Sequence, residues 1–259
     1  MHNILLTILV LWLPYGALAD DYGSKGWVAL FDGTSLTGWT PKIRGYKAGE
    51  DPLETFHVED GLLRVSYQNY DRFRGRFGHL FFEQAFDHYR LSVEYRFQGE
   101  QLAGGPGWAR RNSGVMLHAQ APTSLAIDQD FPDAIEAQFL GGLDNGKARP
   151  TANVCSPGTE VTLSGEIKHA RSHCNYSTSP TLDGDQWVRA EFLVRGSDLF
   201  VHYVNGEEVL RFGDTMRSRD SGAGLELSSG HIALQSESHP IDFRRIAIKI
   251  IPAETPLPR

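Results

Sequence analysis

The run YRLSVEYRF, Tyr89 to Phe97, decides the fold class. Tyr89, Leu91, Val93, Tyr95 and Phe97 fall on one face, and Arg90, Ser92, Glu94 and Arg96 on the other. A repeat of two is that of a β-strand with one buried face; a helix would return its apolar residues every three or four positions. The same reading extends outward. Thr55–Glu59 and Leu62–Tyr67 flank Asp60-Gly61, a two-residue hairpin signal. Ser113–Ala119, Ala134–Leu140, His231–Ser236 and Ile241–Ile251 read as further strands, and Trp187–Arg195, Leu199–Val204 and Glu207–Phe212 as a meander turning at Asn205-Gly206. No long stretch carries a helical apolar pattern. Short strands and Gly-rich turns imply an all-β sandwich or jelly roll of two antiparallel sheets.

The chain has 259 residues and a formal net charge of −7. Met1–Ala19 reads as a signal peptide: Ile4–Leu13 is an apolar run short for a bilayer, and Ala17-Leu18-Ala19 fits a cleavage site. A periplasmic or secreted location is therefore expected, with no membrane contact beyond that segment. Residues 20–259 are expected to form a single domain. The absence of a basic face argues against a nucleic-acid partner. Oligomeric state is not readable. Cys155 and Cys174 are the only cysteines, and in an oxidising compartment a disulfide is the default reading. Leu102–Arg111 reads as a Gly-rich loop, and 141–186 as a long irregular insertion bearing the disulfide, with His169 and His173 near Cys174 as outsiders to any chemistry.

Polar residues interrupt some of these strands. In Ala134-Ile135-Glu136-Ala137-Gln138-Phe139, the apolar residues fit the core and send Glu136 and Gln138 to the opposite face. Such a shelf can grip hydroxyls or move a proton; it can equally be a solvated face. In Asn112–His118, Gly114, Met116 and His118 should point away from Val115 and Leu117. Gln235 and Glu237 alternate at the end of the strand from His231, which also reads as a charged strand edge.

One more stretch links these parts. WVALFDGTSLTGW, Trp27 to Trp39, reads locally as a strand stopped by Asp32-Gly33, with Thr34 and Ser35 holding the loop. It resembles the opening of the 3-keto-disaccharide hydrolase domain family, within the concanavalin A-like lectin/glucanase superfamily. The resemblance continues in order through Phe56–Leu63 (FHVEDGLL), Asn112–Val115 (NSGV), Glu136-Ala137-Gln138, His202–Gly206 (HYVNG), Gly230–Glu237 (GHIALQSE) and Phe243–Ile246 (FRRI), covering about Trp27 to Ile251.

The resemblance implies a concanavalin-like jelly roll with a sugar-binding face, and cleavage of 3-keto-glycosides. A ketone at sugar carbon 3 acidifies the proton on carbon 2; a base removes it and the enolate expels the oxygen on carbon 1. That chemistry needs a base, an acid and donors at the enolate. Glu136, His118 and Glu237 are the catalytic candidates, Glu136 as base or metal ligand. Gln138, Gln235, Asn112, Trp108, Arg110 and Arg111 are the substrate-binding candidates, with Trp108 stacking on a sugar ring. His202 reads as structural. No cofactor is certain, and a divalent metal held by the His/Glu set is possible in principle. The departures from the family pattern are His118, the Ser236–His239 sequence and the insertion. A saccharide is the expected partner. A non-catalytic carbohydrate-binding module is the alternative, and an ordinary endo-glucanase ranks last, because Glu136-Ala137-Gln138 offers one carboxylate where that reaction uses a pair.

Overall fold

The computed structural model describes residues 26–163, 173–218 and 224–254. The apparent signal peptide and His169 lie outside them. Sixteen strands occur among the described residues: β1 Val28–Ala29, β2 Trp39–Ile43, β3 Phe56–Glu59, β4 Leu62–Val65, β5 Gly78–Phe86, β6 His88–Phe97, β7 Asn112–Ala119, β8 Ile135–Leu140, β9 Asn153–Cys155, β10 Thr159–Leu163, β11 Cys174–Asn175, β12 Val188–Arg195, β13 Leu199–Val204, β14 Glu207–Arg217, β15 Gly230–Ser236 and β16 Ile241–Ile250. They form two antiparallel sheets. The first runs β10-β14-β13-β12-β6-β16-β4-β3, with β1 beside β16, and the second β11-β9-β8-β7-β15-β5-β2.

The central strand β6 behaves as its alternation predicts. Tyr89, Leu91, Val93, Tyr95 and Phe97 are buried between the sheets. On its outer face Glu94 pairs with Arg244 and Arg245, and Arg96 with Asp242. Aromatic rings bridge the layers: Tyr95 of the first sheet stacks on Phe139 of the second at 4.0 Å. The hairpin at Asp60-Gly61 forms with positive φ at both residues, 53° and 77°, as a two-residue β-turn of this hand requires.

Three features differ from the sequence reading. The Trp27–Phe31 strand shrinks to Val28–Ala29, while the segment is held by Trp39, whose Nε1 donates to the Leu30 carbonyl at 2.8 Å. The loop after it is held by the Asp32 carboxylate, which accepts from the Thr34 and Ser35 amides. Strands β2 and β5 appear where none was expected. In β5 the run His79–Phe82 does not alternate, because loops cover the face away from the core. The insertion is not wholly irregular: β9 and β11 extend the second sheet and β10 the first. Cys155 and Cys174 face each other across β9 and β11 and are disulfide-bonded.

Candidate active site

The site lies on the face of the second sheet turned away from the main core. On β8, Ile135, Ala137 and Phe139 belong to that core, so Glu136 and Gln138 must project to the other side. Strand pairing sets Met116 beside Glu136, and Gly114 beside Gln138. Gly114 has a specific role here. A Cβ at this position would lie 3.2 Å from both Cγ and Oε1 of Glu136 and 3.0 Å from the Ala137 carbonyl oxygen. The glycine therefore lets the Glu136 carboxyl lie across β7. Phe131, on the loop between β7 and β8, packs with Phe81, Met116, Ala134 and Ala233 and covers the adjoining part of the face.

Glu136, Gln138, Asn112 and Glu237 line one pocket of about 880 Å³. Glu136 is 5 % exposed and Glu237 2 %. Burial pushes the Glu136 carboxyl up from its ordinary 4.5 to about 8, partly offset by the Gln235 side chain beside it. Glu237 is raised well above the usual carboxylate range, first by burial and then by the charge of Glu136. Two such groups share protons: the charge on one disfavours charge on the other. Around them Oε2 of Glu237, Oδ1 of Asn112 and both amide atoms of Gln235 have no hydrogen-bond partner of normal geometry. Buried polar groups are nearly always paired, so this set is prepared for a hydrogen-bonding ligand or for water. Gln138 is already engaged, accepting from Asn153 Nδ2 at 3.0 Å.

The facing walls come from loops. Trp108, in a 3-10 turn at Gly107–Ala109, is 55 % exposed and stacks on Phe77 at 5.9 Å with the planes 8° apart. Trp108 also lines the pocket. The insertion supplies much of the remainder, including Leu143, Lys147, Arg149, Tyr176 and the disulfide. Arg149 was not legible as a site residue. Its guanidinium donates to the carbonyls of Trp108, Arg110, Arg111 and Gly141, tying the insertion to the Gly-rich loop. Burial, then Arg110 and Arg111, lower its pKa to about 10.

Four sequence-predicted residues stand elsewhere. Gln235 is fully buried beside the Glu136 carboxyl and does not itself line the pocket. His118 does not share a face with Gly114 and Met116. The β7–β15 register shifts here, His118 takes a positive φ of 51°, and its ring turns into the core between Tyr89 and Phe200. There Nδ1 meets the Leu227 carbonyl at 3.2 Å, and burial lowers its pKa to about 4. Arg111 pairs with Asp185 at 2.8 Å, and neither Arg110 nor Arg111 lines the pocket with its side chain. His202 sits in the core, as expected, with Nδ1 at 2.9 Å from the Ala152 carbonyl. With His118 turned away, the His/Glu set for a divalent cation is broken; no group of three potential metal ligands converges among the described residues. The residues present do not fit a metal centre.

An all-β sandwich with a buried carboxyl pair in a groove on one sheet defines the class. The chain belongs to the family of the 3-keto-alpha-glucoside-1,2-lyase-like domain, whose model matches residues 26–249. Membership supports a carbohydrate-active role. No match is found among curated proteins. Among solved structures, the chain is similar to a protein of Parabacteroides distasonis ATCC 8503 described provisionally as a glycosyl hydrolase, with 18% identity and a TM-score of 0.53 over 91% of this chain and 98% of that one. A second such protein from the same organism shows 16% identity and a TM-score of 0.50 over 87% and 99%. At these identities the likeness is one of fold. No described helix is long and apolar enough to cross a membrane.

Proposed function

We propose that this protein cleaves the glycosidic bond of 3-keto-glycosides by elimination across carbons 1 and 2, and that it is exported. The observation carrying the reading is the buried Glu136–Glu237 pair in one pocket, where burial and the charge of an ionised Glu136 keep Glu237 protonated. The ionised member takes the carbon-2 proton. The electron pair of the broken C2–H bond forms the enolate of the 3-ketone and then the C1–C2 double bond. The C1–O bond breaks, and the leaving oxygen receives the proton of the neutral carboxyl. Water added across the double bond afterwards gives net hydrolysis. Asn112, with an unpaired Oδ1, supplies an acceptor for a sugar hydroxyl, and Gln235, fully buried beside Glu136, positions that carboxyl. Trp108 offers a face for the ring. Export is supported by the disulfide and by the apolar run Ile4–Leu13.

The test is incubation of the wild type and Glu136→Gln with 3-keto-trehalose and 3-keto-glucosides. The wild type should release the reducing sugar or aglycone, and the variant should lose on the order of a hundredfold or more in rate. Binding without turnover in the wild type would favour a carbohydrate-binding module instead.

A further inference from the structure

We infer that the part of the pocket lined by Lys147 and Arg149 of the insertion is a leaving-group subsite that selects a negatively charged substituent. The inference rests on the elimination reading for the identity of the reacting sugar, and on the pocket alone for its charge preference. At about 880 Å³ the pocket lies toward the upper end of the roughly 300–1,000 Å³ range of small-molecule sites, leaving space beyond one sugar ring. The insertion's contribution to the lining is one-sided in charge. Lys147 and Arg149 both line the pocket. Lys147 makes no ion pair among the described residues; its amide, not its ammonium, is bonded, to Asn145 Oδ1. Arg149 is spent on carbonyl oxygens, which leave its full charge uncompensated.

Arg110 and Arg111 stand close enough to depress the basicity of Arg149, and only Arg111 is answered by a carboxylate, Asp185. The same cations act on His239, a buried imidazole with neither nitrogen partnered. Burial first, then Arg111 and Arg110, hold its pKa near 4, so it stays neutral and adds no charge of its own. Within the pocket the opposing charge is limited, because burial and mutual repulsion bias the Glu136–Glu237 pair toward protonation. A chain of net charge −7 thus concentrates unpaired cations at one rim of this groove. Tyr176, 73 % exposed, adds a flat apolar surface beside them. A carboxylate, sulfate or phosphate ester on the leaving group would meet Lys147 and the Arg149 field together.

Affinity separates this from turnover. Unoxidised 4-carboxyphenyl, 4-sulfophenyl and 4-phosphophenyl glucosides, in both anomers, are titrated calorimetrically against neutral 4-(hydroxymethyl)phenyl glucoside. The expected result is an anionic ligand binding on the order of tenfold tighter at about 20 mM salt, with the advantage shrinking severalfold at about 0.5 M salt. Lys147→Ala, at an exposed position with no side-chain bond to lose, should remove most of that advantage, and Arg110→Ala part of it. The ranking among the three anions identifies the preferred group. Equal affinities, no measurable binding of any of the four, or a preference untouched by Lys147→Ala would overturn the inference. Turnover of a neutral 3-keto-glucoside is measured in parallel. Turnover without a charge preference sinks this inference alone, whereas a charge preference without turnover sinks the elimination reading alone.

Discussion

Removing the Glu136 carboxyl should stabilise the protein while it abolishes the chemistry. In the unfolded chain Glu136 titrates near 4.5, and in the folded state near 8. Between those values the folded state binds the proton that the unfolded state has released. Stability therefore falls as pH rises through that window, the opposite of the usual salt-bridged carboxylate. A difference of about 3.5 units at about 1.4 kcal/mol per unit gives an upper limit of roughly 5 kcal/mol lost between pH 4.5 and pH 8. Sharing of the proton with Glu237 redistributes this cost between the two groups without changing its sign. The carboxamide introduced by Glu136→Gln keeps the shape, does not titrate, and escapes the penalty. Urea unfolding of both proteins at about pH 5, 7 and 9, with the disulfide intact, measures the effect. The wild type should lose stability relative to the variant by several kcal/mol across that range. Parallel pH dependences would refute the idea that Glu136 is buried without compensation, and with it the physical basis for its role as base.

Glu237→Gln removes the neutral acid while leaving the burial that raises Glu136, so kcat/KM should fall with the acidic limb of its pH profile unmoved and the alkaline limb lost, as rates between about pH 5 and 9 will show. Gly114→Ala should cost about 1–3 kcal/mol by overpacking and reduce kcat more than it changes KM, since the added methyl displaces the carboxyl rather than the binding walls; unchanged kcat would sink the proposed seating of Glu136. Cys155→Ser with Cys174→Ser opens a link spanning 19 residues and should lower stability by about 3 kcal/mol, with KM raised because the disulfide also lines the pocket. Trp108→Ala should weaken sugar binding by about 1 kcal/mol, roughly fivefold in Kd, with little loss of stability at so exposed a position.

The alternation in Tyr89–Phe97 and the turns at Asp60-Gly61 and Asn205-Gly206 made the sandwich legible, because they express local geometry. Glu136 and Gln138 were legible for the same reason: their neighbours Ile135, Ala137 and Phe139 fix the face. Strand β5 was hidden because loops bury its outer side, so Phe81 and Phe82 follow one another without a polar break. His118 was misplaced by a single irregularity; one residue out of register turns every later side chain over, and nothing in Met116-Leu117-His118 announces it. Arg149 was invisible for a different reason. Its partners are backbone carbonyls on segments distant in sequence, and a carbonyl leaves no mark in the alphabet of side chains.

That arginine divides the molecule's labour. The proton-handling groups sit on β8 and just past the end of β15, whereas the insertion's wall is tied to the Gly-rich loop through one guanidinium and cross-linked by one sulfur bridge. Residues ahead of Arg149, such as Leu143 and Lys147, line the pocket and contribute to what fits. A loop of this kind can be exchanged as a cassette: any replacement that returns an arginine to four waiting carbonyls and a cysteine to Cys155 inherits the same floor, and with it the same chemistry on a different guest.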